Sequence, residues 1–199
     1  MTDLRLTALA LSIGLVASAA AAQEAPAGPD RNFFVFTGRM LDADMGESVN
    51  VIGADYEDNY ITGLGVQSFF LHSRRTSVGY ELGIATRYGE DRTTEAWGGL
   101  VARIDNWQLA RNIFLSPSIV FGLSYVDAAH AGREQRLEAE YDGDAQLVFY
   151  LSPELDFKVS PESRYSFFWR LHHRSGAWKT LGDMKGASNA NVFGLRVRF

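Results

Sequence analysis

His173 and Ser175 stand two residues apart in the run Tyr165–Ser175, which reads YSFFWRLHHRS. A serine hydroxyl is a poor nucleophile until a base takes its proton, so a serine beside an imidazole is the minimal unit for nucleophilic acyl transfer. In a strand, residues i and i+2 share a face with Cβ atoms roughly 7 Å apart, close enough for an imidazole nitrogen to meet the hydroxyl. The same two residues equally fit a plainer role, as polar side chains at a strand end where membrane gives way to water. His172 points to the opposite face from His173, so the two histidines cannot chelate one ion. The chain has no Cys, which removes thiolate metal sites, thiol nucleophiles and disulfides.

A pair of this kind needs strands to position it. Eight segments of roughly ten residues, rich in β-branched and aromatic types and separated by turn residues, cover 32–41, 61–71, 77–88, 94–104, 112–126, 144–158, 165–175 and 188–199. Three alternate clearly. Val78, Tyr80, Leu82 and Ile84 oppose Gly79, Glu81, Gly83, Ala85 and Arg87. Ala145, Leu147, Phe149, Leu151, Leu155 and Phe157 oppose Gln146, Glu154, Asp156 and Lys158. Phe193, Leu195, Val197 and Phe199 oppose Arg196 and Arg198. Each such ribbon has one greasy face and one polar or small face. Connections after the second, fourth and sixth segments are short. Those after the first, fifth and seventh are longer, and Gly89–Thr93 breaks the trend. Short turns on one side and long loops on the other, with an even strand count, describe an all-β, eight-stranded, antiparallel up-and-down transmembrane β-barrel.

A soluble sandwich or lipid-binding barrel would turn the greasy faces inward. The other face decides against it: it mixes glycine with Glu81, Arg87, Arg103, Glu154, Asp156, Lys158, Arg170, Arg196 and Arg198, charges that can pair inside a narrow lumen. Eight strands leave an interior just wide enough for side chains, so solute passage is not expected and function should lie on the wall or in the outer loops. On this reading Tyr165, Phe167, Trp169, Leu171, His173 and Ser175 form the lipid face of the seventh segment, with His173 and Ser175 at its outer end.

Residues 1–22, MTDLRLTALALSIGLVASAAAA, read as a cleaved signal peptide: one Arg, a Leu-rich run of only about twelve residues where a membrane span needs roughly 20, and an A-x-A-type end. Residues 23–31 form a short polar lead, and 32–199 the barrel. With 46% apolar and 13% aromatic residues the chain is not disordered. Nineteen basic against 24 acidic residues argue against nucleic acid as a partner. Arg133–Glu140 reads as a solvated outer loop, with a short helical turn as the alternative and a weak suggestion of arginine–phosphate contact. Trp97, Trp107, Trp169 and Trp178 suit an interfacial belt or core packing. His72 and His130 lie in connections without a motif, and Gly63-x-Gly65 lacks the strand–turn–helix setting of a phosphate loop.

His173-Arg174-Ser175 near the end of a penultimate strand resembles the H-x-S motif of the lipid A 3-O-deacylases (PagL type) and of the acyloxyacyl hydrolase-like barrels grouped with them. The Gly182-Asp183 and Lys185-Gly186 turns and a last strand closing on Phe199 extend the likeness over about the last 30 residues; elsewhere it is architectural. The resemblance implies a bacterial outer-membrane esterase, free of cofactor and metal, that removes the ester-linked 3-hydroxyacyl chain of lipid A within lipopolysaccharide. It implies Ser175 as nucleophile, His173 as general base, and recognition of the strand ending in Phe199 by the outer-membrane assembly machinery. Two positions depart from the family pattern. The family Glu falls at position 187, which is Ala, and the Asn that often follows the Ser is Gly176. Asp183 and Asn189 are the substitutes within reach for the third catalytic member, and the Gly176 backbone N–H is the remaining oxyanion donor. The competing expectation is a structural or adhesive outer-membrane barrel with a degenerate site.

Overall fold

The computed structural model describes residues 30–199; the expected signal peptide lies outside the described residues. Nine strands and two short helices follow one another: β1 Asp30–Leu41, α1 Met45–Ser48, β2 Tyr56–Ser73, β3 Thr76–Tyr88, β4 Arg92–Ile104, β5 Trp107–Ala110, β6 Ile113–Val126, α2 Arg133–Tyr141, β7 Leu147–Lys158, β8 Tyr165–Ser175 and β9 Asn189–Arg198. Every pairing is antiparallel. β4 pairs with β6 and β1 with β9, so eight strands close into a barrel with no free edge. The four-residue β5 pairs only with β6 and extends a hairpin below the barrel. It occupies the connection 105–111, which the sequence pattern marks only as a turn, because all four of its residues are exposed and carry no alternation.

Alternation sets the two faces. Leu82, Ile84, Leu100, Phe121, Leu123, Phe167 and Leu195 stand outward and exposed, while Glu81, Ala85, Glu154, Asp156, Arg170 and Arg196 are buried inward. An apolar belt around a closed barrel with a charged, filled interior is an outer-membrane barrel, and its localisation follows. Among the described residues no helix is long and apolar enough to cross a membrane; the strands make the crossing.

The lumen is solid. Arg170 bridges Glu81 and Glu154, each at 2.7 Å, and Arg196 reaches Glu154 at 2.8 Å and Asp156 at 2.6 Å. Arg170 lies 4.8 Å from the Phe34 ring centroid and Arg196 4.8 Å from that of Phe168, so guanidinium planes alternate with aromatic faces. Phe36, Trp97, Tyr150 and His172 form the next layer. Trp97 belongs to this core, not to an interfacial belt. Gly83 makes room for it, since a Cβ there would fall 2.1 Å from the Trp97 ring.

The end that carries the long connections is the outer one. There Arg133–Glu140 lies in a helix, α2, and not in a solvated loop. Glu134 at its start is buried and binds Arg87 of β3 (2.8 Å) and Arg174 of β8, stoppering the barrel mouth. The arginines of α2 are engaged as well: Arg133 with Asp44 (2.5 Å) and Arg136 with Asp42 (2.6 Å), which ties the helix to the β1–β2 connection. Ala145, expected on the lipid face, lies before β7 and is buried with Val148, Met184 and Ala187 under Leu137 and Tyr141.

Candidate functional site on the outer wall

β8 spans the residues expected of the seventh segment, and its odd positions do face outward. Tyr165 and Phe167 are exposed, but Leu171 and His173 are not. The difference has a physical cause: the β1–β2 connection, residues 42–55 with α1, folds back against the outside of the wall. Ala43, Met45, Ala54 and Tyr56 pack with Leu41, Leu171 and Trp169, so this part of the lipid face is covered by protein.

Register brings the polar residues together under that cover. His173 pairs with Asn189, Asn189 with Leu41, and Leu41 with Tyr56 across four neighbouring strands. His173 and Asn189 therefore share a face side by side. The Asn189 amide Nδ2 donates to the Ala43 carbonyl (2.7 Å), and its Oδ1 lies 2.5 Å from His173 Nδ1. A carbonyl only accepts, so the NH2 must face Ala43 and the oxygen must face the imidazole. Nδ1 then carries the proton, and in the neutral ring Nε2 is left as the free base. Two residues further down the wall, Asn191 accepts from Trp169 Nε1 (3.0 Å) and donates to the Ser48 carbonyl (2.9 Å). The loop is thus pinned to β9 by two asparagine amides.

Ser175 is at the rim, half-buried and on the same face. Its hydroxyl donates to the Lys185 carbonyl (2.9 Å) and accepts from the Ala177 N–H (3.1 Å), not from or to His173. Gly176 is buried in a tight turn. A Cβ there would fall 2.0 Å from the Met184 carbonyl oxygen, so the family's Asn does not fit this loop. Asp183 is exposed, adopts a left-handed φ of 55°, and makes no hydrogen bond to the pair. Of the two candidate substitutes the structure brings Asn189 to His173 and leaves Asp183 apart. Ala187, at the family Glu position, is buried in the cluster around Met184.

His172 faces the lumen as expected, with Nε2 2.9 Å from Glu95 Oε1 and Nδ1 3.0 Å from the Tyr150 hydroxyl. Among the described residues no group of three or more His, Asp or Glu is placed to hold a metal ion. The element that sequence reasoning missed is the Ala43 carbonyl. A main-chain oxygen has no residue signature, and its partner lies 146 residues away.

No protein-family model matches the chain, and no curated protein matches it in sequence. Solved structures do. The outer-membrane enzyme PagL aligns over 83% of this chain and 98% of its own, with a TM-score of 0.54 at 10% identity. Neisserial surface protein A (NspA) aligns over 86% of this chain and 99% of its own, with a TM-score of 0.51 at 9% identity. At such identities the likeness is one of fold: this chain shares its eight-stranded barrel with outer-membrane proteins, one of them described as an enzyme and one as a surface protein.

Proposed function

We propose that the chain is an outer-leaflet ester hydrolase of the lipid A deacylase kind, acting on an ester-linked acyl chain of a lipid that reaches the wall by lateral diffusion. The observation that carries this reading is the His173–Asn189 hydrogen bond on the outer wall, with the amide locked by Ala43. Ser175 turns about its Cα–Cβ bond away from the Lys185 carbonyl and passes its proton to His173 Nε2 as Oγ attacks the ester carbonyl. The tetrahedral intermediate collapses to an acyl-serine while the imidazolium returns the proton to the departing alkoxide. Water, deprotonated by the same Nε2, then releases the fatty acid. The Gly176 N–H is the candidate oxyanion donor. Asn189 fixes the tautomer but cannot balance the imidazolium charge, so turnover is slower than with a carboxylate in its place.

The test is the mass of lipid A from cells expressing the chain and, separately, its Ser175→Ala form. Loss of one 3-hydroxyacyl group with the parent and not with the variant is the expected result. Unchanged lipid A, with the barrel folded in the outer membrane, removes the hydrolase reading. The second reading, a structural or adhesive barrel, draws on one observation: the Ser175 hydroxyl is held by Lys185 and Ala177 and makes no bond to His173.

A further inference from the structure

The β8–β9 loop, residues 176–188, carries a run of unusual backbone. Ala177, Trp178 and Lys179 all take positive φ, at 48°, 56° and 70°. Three consecutive side-chain-bearing residues winding left-handed is a conformation that L-residues avoid, and it persists only where surrounding contacts over-determine it. Here the Leu181 N–H donates to the Gly176 carbonyl (3.0 Å) and the Lys179 N–H to the Met184 carbonyl (2.9 Å). The turn pushes Trp178 outward, 89% exposed, at the rim of the barrel.

The same turn brings two cations to one ring. Lys179 Nζ lies 5.5 Å and Lys185 Nζ 5.4 Å from the centroid of Tyr141 on α2. Lys179 also donates weakly to the Tyr141 carbonyl (3.4 Å). Neither lysine forms an ion pair among the described residues, although Arg39, Arg133 and Arg136 at the same end of the barrel are all paired with carboxylates. Asp183, the acidic residue of the loop, is exposed and pairs with neither lysine. Two ammonium groups beside one aromatic ring, neither in an ion pair, give this part of the rim a local positive charge that an anion would meet.

We propose that Lys179 and Lys185, set around Tyr141, bind a phosphate monoester on the headgroup of an outer-leaflet glycolipid, with Trp178 seated at the membrane surface beside it. The lipid source is favoured over free phosphate by position. The lysines stand at the outer rim of a membrane-facing wall, and an exposed tryptophan, whose ring is at home at headgroup level, shares their turn. A phosphate monoester near neutral pH carries close to two negative charges and three acceptor oxygens, which suits a pair of ammonium groups acting as point charges. The site abuts the proposed hydrolase site, since the Lys185 carbonyl holds the Ser175 hydroxyl, yet it requires no chemistry at Ser175.

The full barrel, folded in neutral detergent, is tested for binding to diphosphorylated lipid A and to the same lipid after removal of its phosphates. The parent is expected to prefer the phosphorylated lipid at least tenfold. Lys179→Gln/Lys185→Gln is expected to lose that preference, Lys179→Arg/Lys185→Arg to keep most of it, and Ser175→Ala, which removes one hydrogen bond to the Lys185 main chain but no charge, to keep most of it as well. The Ser175→Ala arm separates this inference from the hydrolase reading, which can fail without moving the preference. Equal binding of the two lipids by the parent, or a preference that survives the double glutamine substitution, overturns the proposal. Saturable binding of inorganic phosphate at these lysines without any lipid preference assigns the site to the free ion and overturns the lipid source.

Discussion

Asn189 accepts from His173 with one end of its amide and donates to the Ala43 carbonyl with the other. Its two roles cannot be exchanged, so one side chain decides both the imidazole tautomer and the seating of the β1–β2 connection on the wall.

Replacing Asn189 by Ala removes both roles. Ester hydrolysis, read as the rate of acyl release from lipid A in mixed micelles, is expected to fall by about ten- to a hundredfold, since the base loses its orienting partner but keeps Nε2. Asn189→Asp turns a carboxylate oxygen toward the Ala43 carbonyl and is expected to unseat the loop. Limited proteolysis within 42–55 should then be faster than in the parent, and an unchanged cleavage pattern would show that the amide does not hold the loop.

Arg170 neutralises Glu81 and Glu154 in a lumen that water does not enter freely. Arg170→Met leaves two carboxylates facing each other without their shared partner. The expected loss is about 3–5 kcal/mol in urea-induced unfolding of the refolded barrel. Adding Glu81→Gln to Arg170→Met should recover part of it. A double variant no more stable than Arg170→Met would mean that the hydrogen bonds from Gln67 and Trp97 suffice to hold the Glu81 carboxylate in the lumen.

Glu134 stoppers the mouth through Arg87 and Arg174, but the aromatic layer of Phe36, Trp97, Tyr150 and His172 lies beneath it. Planar bilayers containing either the parent or Glu134→Ala are therefore expected to show no conductance steps. Steps that appear in Glu134→Ala alone would place the seal in α2 and not in the core.

His130, in the β6–α2 connection, is buried beside Asp91 (2.6 Å) and hydrogen-bonded to Thr93 Oγ1 (2.9 Å). Burial pushes its pKa down and the Arg87 guanidinium adds to this; Asp91, Glu134 and Glu90 pull the other way without prevailing. A folded-state pKa below the unfolded one means that folding favours the neutral ring. The contribution is complete above the ordinary histidine range and is lost as pH falls through the depressed value. The protection of α2 amides, taken relative to the intrinsic exchange rate at each pH, is expected to fall on going from pH 7.5 to pH 5, and His130→Asn should flatten that dependence. Equal pH dependence in the variant would move the effect to the carboxylates around it.

How far the sequence reveals this molecule depends on distance along the chain. Residues 165–175 emerge as a strand with the expected ends, and the alternation of Val78 to Arg87 sorts correctly into outward and inward faces, because period two is a local property. Of the inward charges, Glu81, Arg87, Glu154, Asp156, Arg170 and Arg196 are in ion pairs as a narrow lumen requires, whereas Lys158 and Arg198 at the inner end form none among the described residues. α2 is harder to read, since its polar sequence makes sense only once Arg87 and Arg174 from the strands and Asp42 and Asp44 from the β1–β2 connection meet it. The candidate site divides in the same way. His173 and Ser175 are visible through their spacing, and Asn189 through its parity with Ala187, the position of the family Glu. The cover over them is not visible, because it is made by Ala43 and Ser48 main-chain carbonyls and by apolar residues of a loop with no period of its own.

That cover gives the barrel a compass bearing. Most of its circumference offers passing lipids an even apolar fence, while the arc of β8, β9 and β1 presents a ledge of protein with asparagines beneath it. Lipids in the leaflet approach only in two dimensions and from every direction, so those arriving from behind meet nothing but the fence. A lipid reaches the ledge either by travelling round the barrel or by waiting for the barrel to spin, and in a leaflet crowded enough to halt that rotation the way a molecule faces sets which neighbours it can ever meet.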